Sequence, residues 1–83
     1  MVGQQLISSI ASFGSTVGVE DIDNGERATY QLVGPFEADA INGLISIDSP
    51  MGRTLLGRSV GDEVIVYAPG GVRAYRILFV VSP

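Results

Sequence analysis

Residues 43–57, with the sequence GLISIDSPMGRTLLG, constrain the fold of this chain most, because they join a strand directly to a helix. Residues 44–47 have the apolar, β-branched composition of a short strand. Asp48 and Ser49 follow, and their side-chain oxygens can accept hydrogen bonds from the free N–H groups at the start of a helix. Pro50 suits the first helical position, where no N–H is needed. The stretch therefore predicts a helix that begins at Pro50.

The same stretch predicts where that helix ends. Leu55 and Leu56 give the helix an apolar edge, and Gly57 can adopt the left-handed conformation that terminates helices. The helix is therefore expected to be short, roughly two turns long.

Four further segments alternate apolar and polar residues as strands do. The first two are separated by Asn24-Gly25, a strong signal for a hairpin turn. With the strand before the helix they predict an α+β fold, in which a twisted antiparallel sheet of about five strands wraps around one short helix. The four segments are residues 13–22, 27–33, 64–68 and 72–81.

The last of these strands is the longest and the most apolar. Tyr75, Ile77 and Phe79 are expected to share one of its faces, and Arg73 and Arg76 to lie on opposite faces. Its apolar end, with the sequence ILFVV, predicts either a central strand or an uncovered patch that needs a partner. We favour the central position.

Composition excludes several classes of function. The chain has no Cys and no His, so it lacks the usual ligands of zinc and haem and cannot form a disulfide. It has nine acidic residues against five basic ones, a net charge of −4. Binding to a nucleic-acid backbone needs clustered cations, so we expect no direct, sequence-specific binding of nucleic acid. An acidic chain is better suited to a basic protein surface.

Carboxylates cluster around the first predicted turn, where Asp21 and Asp23 have the spacing that opens a calcium-binding loop. The rest of the calcium pattern fails, because Gly25 falls at position five instead of six, and Leu32 occupies position twelve, where a bidentate Glu is required. We therefore predict a solvated turn there, and no metal site or cofactor.

A loop over residues 34–42, with the sequence GPFEADAIN, precedes the central stretch. It combines turn-forming residues with Glu37, Asp39 and the apolar Phe36 and Ile41, and loops of this kind often carry recognition. The alternative is that Phe36 and Ile41 belong to the core and the two acids only solubilise the loop. The sequence pattern leaves both alternatives open.

The chain is 83 residues long and 46% hydrophobic, which suits a single small domain. We assign this domain to residues 13–83 and treat residues 1–12 as a linker or lead-in, in which Leu6, Ile7 and Ile10 fit either a helix or a short strand. The chain has no basic segment before an apolar one at its start and no apolar run of 18 residues, so neither a signal peptide nor a membrane span is predicted. The default location is the cytoplasm.

Six segments in this order resemble the C-terminal domain of the Gre-type transcription elongation factors, the GreA and GreB family. They cover roughly residues 13–78 and are FGSTVGVED, YQLVG, EAD, NGLISIDSPMGRTLLG, VGDEVIVYAPGG and AYRIL. The resemblance implies an FKBP-like fold and docking onto bacterial RNA polymerase at the rim of its secondary channel. It does not separate the GreA and GreB subtypes.

The resemblance also implies where the docking contact lies. It falls on residues 46–50, at Ser46, Asp48, Ser49 and Pro50, with Glu37 and Asp39 of the acidic loop beside them. A carboxylate at a helix entrance can be held by backbone N–H groups and present its outer oxygen to an Arg of the partner. The alternative role of Asp48, Ser49 and Pro50 is helix capping alone, and both roles are compatible.

In that family the catalytic acids lie elsewhere, at the tip of a long N-terminal helical hairpin. Only 12 residues precede Phe13 here, and as one helix they span at most about 18 Å. We therefore expect no catalytic residue and no transcript cleavage in this chain. It is expected to be either an excised domain or a short family member, and the sequence leaves open whether it inhibits or assists elongation.

Two other functions fit parts of the sequence. The FKBP-like architecture suggests a peptidyl-prolyl isomerase, although a fold does not carry a function by itself. The apolar end of the last strand suggests a domain that associates with itself, so we expect a monomer or weak self-association.

Overall fold

The computed structural model describes residues 10–83, which form one five-stranded sheet with a single α-helix and a short 3-10 helix. The strand order across the sheet is β3-β2-β1-β5-β4. The α+β class and a sheet that curls around one short helix are confirmed. The elements are β1 (Thr16–Asp21), β2 (Arg27–Val33), the 3-10 helix (Ala40–Asn42), β3 (Leu44–Ser46), α1 (Pro50–Leu55), β4 (Glu63–Ala68) and β5 (Gly71–Val81).

Strand β1 forms a hairpin with β2 and also pairs with β5, antiparallel in both cases. It begins at Thr16, three residues after the predicted start, because Ser12 and Ser15 close a tight turn. The Ser15 N–H donates to the Ser12 carbonyl at 2.9 Å, and the Ser12 N–H donates to Ser15 Oγ at 3.0 Å. Strand β5 lies between β1 and β4, so the predicted central position of the last strand is confirmed.

The pairing of β3 with β2 is parallel, whereas the other strand pairings of the sheet are antiparallel. Leu44 lies beside Gln31 and Ser46 beside Val33, so the sheet is mixed where the sequence predicted antiparallel pairing. The loop of residues 34–43 carries the chain back along β2 before β3 begins, which makes the two strands parallel.

A bulge in β5 changes which of its residues face the core. Val19 pairs with Ile77 but Gly18 pairs with Phe79, so Leu78 is an extra residue in the strand. Beyond the bulge the alternation is reversed, and Val80 is fully buried while Phe79 is 40% exposed. The prediction that Phe79 shares a face with Ile77 is therefore wrong. The Phe79 ring instead covers Gly18, where an added Cβ would overlap it.

The core lies between the curled sheet and α1. Of the two leucines that were expected to form the apolar edge of the helix, Leu55 is buried and Leu56 is exposed. Gly57 has φ +84°, so it adopts the left-handed conformation that was predicted for it. The buried apolar side chains of the cluster belong to Ala11, Val17, Val19, Leu32, Ile45, Leu55, Val64, Ile77 and Val80.

Three residues of the segment assigned as a lead-in are described, Ile10, Ala11 and Ser12. Ala11 is buried, its N–H donates to the Arg58 carbonyl at 2.8 Å, and its carbonyl accepts from the Gly57 N–H at 2.8 Å. The rest of the lead-in, including Leu6 and Ile7, lies outside the described residues. Within residues 10–83, no helix is long and apolar enough to cross a bilayer.

Candidate functional site

The turn between β3 and α1 is organised by the atoms of one residue, Ser46. Its carbonyl accepts from the Ser49 N–H at 3.0 Å and from the Ser49 hydroxyl at 2.6 Å. Its own hydroxyl accepts from the Asp48 N–H at 2.9 Å. The Ile47 N–H, next along the chain, donates to the Val33 carbonyl at 2.9 Å and ties the turn to β2. The backbone of this turn is therefore held by hydrogen bonds at each successive residue.

Ser49 is the N-cap of α1. Its backbone is extended, with φ −74° and ψ 160°, and its side chain accepts from the Gly52 N–H at 3.0 Å, while Pro50 occupies the first helical position. The predicted capping by Ser49 and the predicted role of Pro50 at the helix start are confirmed. The capping predicted for Asp48 is wrong. The Gly52 N–H donates to Ser49, and among residues 10–83 the Asp48 carboxylate accepts no hydrogen bond from the helix.

The side chains of Asp48 and Pro50 both lie at the surface. Each is exposed, and in the described part of the chain the Asp48 carboxylate accepts no hydrogen bond. The expectation that backbone N–H groups hold this carboxylate is therefore wrong, and only the backbone of Asp48 is held, through the bond of its N–H to the Ser46 hydroxyl. A carboxylate in this state can accept a charged hydrogen bond from a partner without losing one of its own.

Gly52 is a residue of the site that the sequence analysis missed. It is buried on α1, and a Cβ added there would overlap the carbonyl of Ser46. The first turn of the helix therefore rests directly on the backbone that organises the entrance. The sequence carried a signal for this, since a glycine inside a six-residue helix costs roughly 1 kcal/mol relative to alanine and needs a reason.

The acidic loop is fixed to the beginning of β3 through Asp39. The Asp39 N–H donates to the Leu44 carbonyl at 2.7 Å, and the Leu44 N–H returns a bond to the Asp39 carbonyl at 3.0 Å. The Asp39 carboxylate is exposed and accepts from the Asn42 side-chain amide at 2.7 Å. This loop is therefore ordered at its base while its acid faces water.

Both large apolar side chains of the loop are outside the core. Phe36 is 99% exposed and Ile41 is 96% exposed, so the alternative that they are buried is wrong. Glu37 is also exposed, and its carboxylate lies over Gly34, where an added Cβ would come within 2.6 Å of Oε1. The loop therefore presents acidic and apolar side chains together.

The predicted site residues are thus arranged around β3, at one edge of the sheet. Asp39 is bonded to Leu44 at the beginning of β3, and Asp48 follows its end, at most about 13 Å further along an extended chain. We call the exposed members of this arrangement the β3 edge surface. Its members are Phe36, Glu37, Asp39, Ile41, Asp48 and Pro50, with Ser46 and Ser49 holding the turn beneath them.

The other acidic cluster, at the β1–β2 turn, is not solvated throughout as predicted. Asp21 is only 5% exposed. Its Oδ1 accepts from the N–H groups of Asp23 at 2.9 Å and Asn24 at 3.3 Å, and its Oδ2 accepts from Arg73 Nη1 at 3.2 Å. Asp21 is therefore a structural residue of the turn.

No pocket is present in the part of the chain that the structure describes. The isomerase alternative therefore stays a prediction without a located site.

Comparisons with known proteins cover nearly the whole chain. The family model described as "Transcription elongation factor, GreA/GreB, C-term" matches residues 6–81. Over 70 residues, the chain is 51% identical to the transcription elongation factor GreA of Maridesulfovibrio salexigens, covering 84% of this chain and 44% of that protein. Over 66 residues it is 47% identical to the GreA of Syntrophus aciditrophicus, covering 80% of this chain and 41% of the relative.

A solved structure agrees with these matches. The GreA factor homolog 1 (Gfh1) of Thermus thermophilus superimposes with a TM-score of 0.78 at 36% identity, over 96% of this chain and 51% of that one. The chain thus spans less than half the length of the two GreA relatives and about half of the Thermus protein.

Proposed function

This chain belongs to the GreA/GreB family of transcription elongation factors, as a C-terminal domain, and from that premise we propose that it docks on bacterial RNA polymerase through the β3 edge surface. The docking position is the rim of the secondary channel. The domain supplies binding and regulates elongation, and it performs no transcript cleavage itself. Its partner is a protein surface in the cytoplasm, and docking needs no cofactor.

The observation that supports this proposal most is the exposed Asp48 carboxylate beside Pro50, on a turn in which the N–H groups of residues 47–49 are all hydrogen-bonded. A turn whose backbone is already fixed loses less conformational entropy when it meets a partner. The carboxylate also gives up no internal hydrogen bond when an Arg or Lys of the partner replaces water. Asp48 is therefore suited to a cationic site, with Pro50 as a rigid apolar neighbour.

The acidic loop extends this contact. Glu37 and Asp39 add two further carboxylates, so the cationic partner meets negative charge along the whole edge. Phe36 and Ile41 flank these two acids in the sequence and offer apolar area that the fold leaves in water. Interfaces commonly combine such apolar anchors with a charged rim.

Ser46 and Ser49 act differently from the exposed residues. Their hydroxyls and the Ser46 carbonyl are used inside the turn, so their contribution to docking is to hold Asp48 and Pro50 in place. Replacing either serine is expected to weaken binding indirectly, by loosening the turn.

A binding titration of the chain against bacterial RNA polymerase at two salt concentrations tests the proposal. If the Asp48 contact is desolvated, Asp48→Asn weakens binding by about 2 kcal/mol or more, whereas a contact at the rim costs less than about 1 kcal/mol. Pro50→Ala is expected to weaken binding as well. Asp23→Asn is the matched control, because it removes the same charge from an exposed position at the β1–β2 turn.

The control variant should bind like the unmodified chain. Affinity that is unchanged in both Asp48→Asn and Pro50→Ala, at both salt concentrations, would show that docking uses another surface.

A further inference from the structure

The outer face of the sheet, opposite the core, carries an apolar patch at the β4–β5 hairpin. Tyr67 lies directly across from Val72, and Ile65 lies across from Ala74. Tyr67 is 71%, Val72 62% and Ile65 52% exposed, while Val64 and Val66, which alternate with them along β4, are buried on the core face. Such side chains expose a few hundred Å² together, the size of patch that is often functional on a monomer. We call Ile65, Tyr67, Val72 and Ala74 the outer patch.

The outer patch continues to an edge of the sheet. Among residues 10–83, β4 has β5 as its only sheet partner. The Ala74 carbonyl accepts from the Ile22 N–H of the chain beyond β1 at 2.9 Å, so the backbone groups of Ala74 point away from β4. In an antiparallel pair, the residue opposite Ala74 then turns its own N–H and C=O away as well. Ile65, and Tyr67 two residues later, therefore point their backbone groups towards the outer edge.

This edge is complementary to itself. If two β4 strands pair antiparallel about a two-fold axis at Val66, Ile65 of each copy lies opposite Tyr67 of the other. Both residues have the backbone groups that such a pair needs, and their side chains meet on the same face. Glu63 falls opposite Pro69 of the second copy, so no two carboxylates face each other. A two-fold contact of this kind closes after two copies.

We propose that two copies of this chain associate weakly through their β4 edges and outer patches. A charged partner is disfavoured here, because the row of side chains beside the patch is balanced. Glu20 pairs with Arg27 at 3.5 Å and with Arg76 at 3.8 Å, and Arg76 pairs with Glu63 at 2.7 Å, which makes two cations and two acids. The apolar end of β5 offers less surface, because Ile77 and Val80 are buried and Phe79, which is 40% exposed, lies over Gly18.

The size of the patch sets the strength of the association. A standard interface buries about 800 Å² per partner, and the outer patch offers less, so the dissociation constant is on the order of 100 µM. Each copy carries a net charge of −4, and the two copies repel at low salt. Added salt screens this repulsion and strengthens the association. Docking on a cationic partner has the opposite salt dependence, so the two interactions can be told apart.

Sedimentation equilibrium of the chain from about 10 µM to about 1 mM, at low and high salt, tests the proposal. The mean mass is expected to rise from 8.7 kDa towards twice that value as concentration increases, and more steeply at high salt. Ile65→Ser and Tyr67→Ser should each raise the dissociation constant about tenfold. Ile41→Ser is the matched control, because it removes an even more exposed apolar side chain from the opposite edge.

A mass of one chain across the whole range overturns the proposal, as does an equal effect of Ile41→Ser. Hydrogen exchange gives an independent readout that needs no variant. Protection of the Ile65 and Tyr67 amides should rise with concentration. Protection that is the same at all concentrations, whether high or absent, would overturn the dimer.

Discussion

Asp21 and Asp48 both lie where a strand leads into a turn, and their carboxylates have opposite roles. Asp21 is the last residue of β1, and Asp48 lies two residues after the end of β3. Asp21 is buried and accepts three hydrogen bonds, two from backbone N–H groups and one from Arg73. Asp48 is exposed, and within residues 10–83 its carboxylate accepts none. At the helix entrance the free N–H group is satisfied by Ser49 instead.

The difference teaches what makes an acidic residue available for binding. At the β1–β2 turn the carboxylate is the group that satisfies the backbone, so it is committed to the fold. At the entrance of α1 the Ser49 hydroxyl accepts the bond from the backbone N–H, and the Asp48 carboxylate stays available for a partner. Residue type and turn position are therefore poor guides to function unless the competing side chain is identified.

The largest expected effect is that of Gly52→Ala, which should break the helix entrance and leave the Asp21 turn intact. The added Cβ would overlap the backbone carbonyl of Ser46, so the helix must move away from the turn. Even after the gain in helix propensity, we expect a loss of about 2–4 kcal/mol in the free energy of unfolding, measured by urea denaturation. Gly70→Ala is the control, because nothing lies within 4 Å of its Cβ position and its φ is not positive.

A Gly52→Ala variant as stable as Gly70→Ala would contradict this account of the entrance.

Removing the two carboxylates tests the comparison directly. Asp21→Ala leaves two turn N–H groups without their acceptor and Arg73 without its partner, so it should cost about 2 kcal/mol of stability. Asp48→Ala removes no internal bond and should change stability by less than about 0.5 kcal/mol. Thermal or urea unfolding of both variants measures the contrast, and equal losses would mean that Asp48 is also structural.

Ser49→Ala should sharpen the comparison by removing the group that frees Asp48. Loss of the N-cap bond to the Gly52 N–H is expected to cost about 1 kcal/mol of stability. Ser49→Thr retains both the capping oxygen and the hydroxyl proton that the Ser46 carbonyl accepts, and it should recover most of that loss. If Ser49→Ala unfolds like the unmodified chain, another group must be able to replace the cap, and Asp48 is the nearest candidate.

The smallest effect concerns Tyr75, which lies across from Asp21 in the β1–β5 pairing. Burial raises the pKa of Tyr75, and the charges of Tyr30 and Asp21 raise it further. Asp21→Asn should therefore lower the pKa of Tyr75, and Asp48→Asn should leave it unchanged. An ultraviolet titration of the tyrosines, with Tyr75→Phe to assign the signal, measures both.

The same pKa shift sets the sign of a pH dependence. Folded Tyr75 keeps its proton to a higher pH than the unfolded chain does, so unfolding releases a proton above the ordinary tyrosine pKa of about 10. The stability of the domain should fall as the pH rises from there through the raised pKa. Tyr75→Phe should make this fall shallower.

Much of the fold and part of the site could be predicted from the residues alone. The bounds of β2, the N-cap at Ser49, Pro50 at the helix start and the left-handed Gly57 all follow from chemistry within a few residues. The family resemblance, carried by six ordered segments, is confirmed by the matched family model. Information of this kind is local in the chain, and a sequence displays it directly.

Other features depend on groups that are distant in sequence. The exposure of Phe36 and Ile41, the burial of Asp21 against Arg73 and the contact of Gly52 with Ser46 are each decided by what another element places beside them. The bulge at Leu78 reverses the alternation of β5 because β1 pairs with it out of step. The sequence by itself determined the local conformations and the family, whereas only the tertiary structure decided which side chains face water, because burial is set by partners that periodicity does not encode.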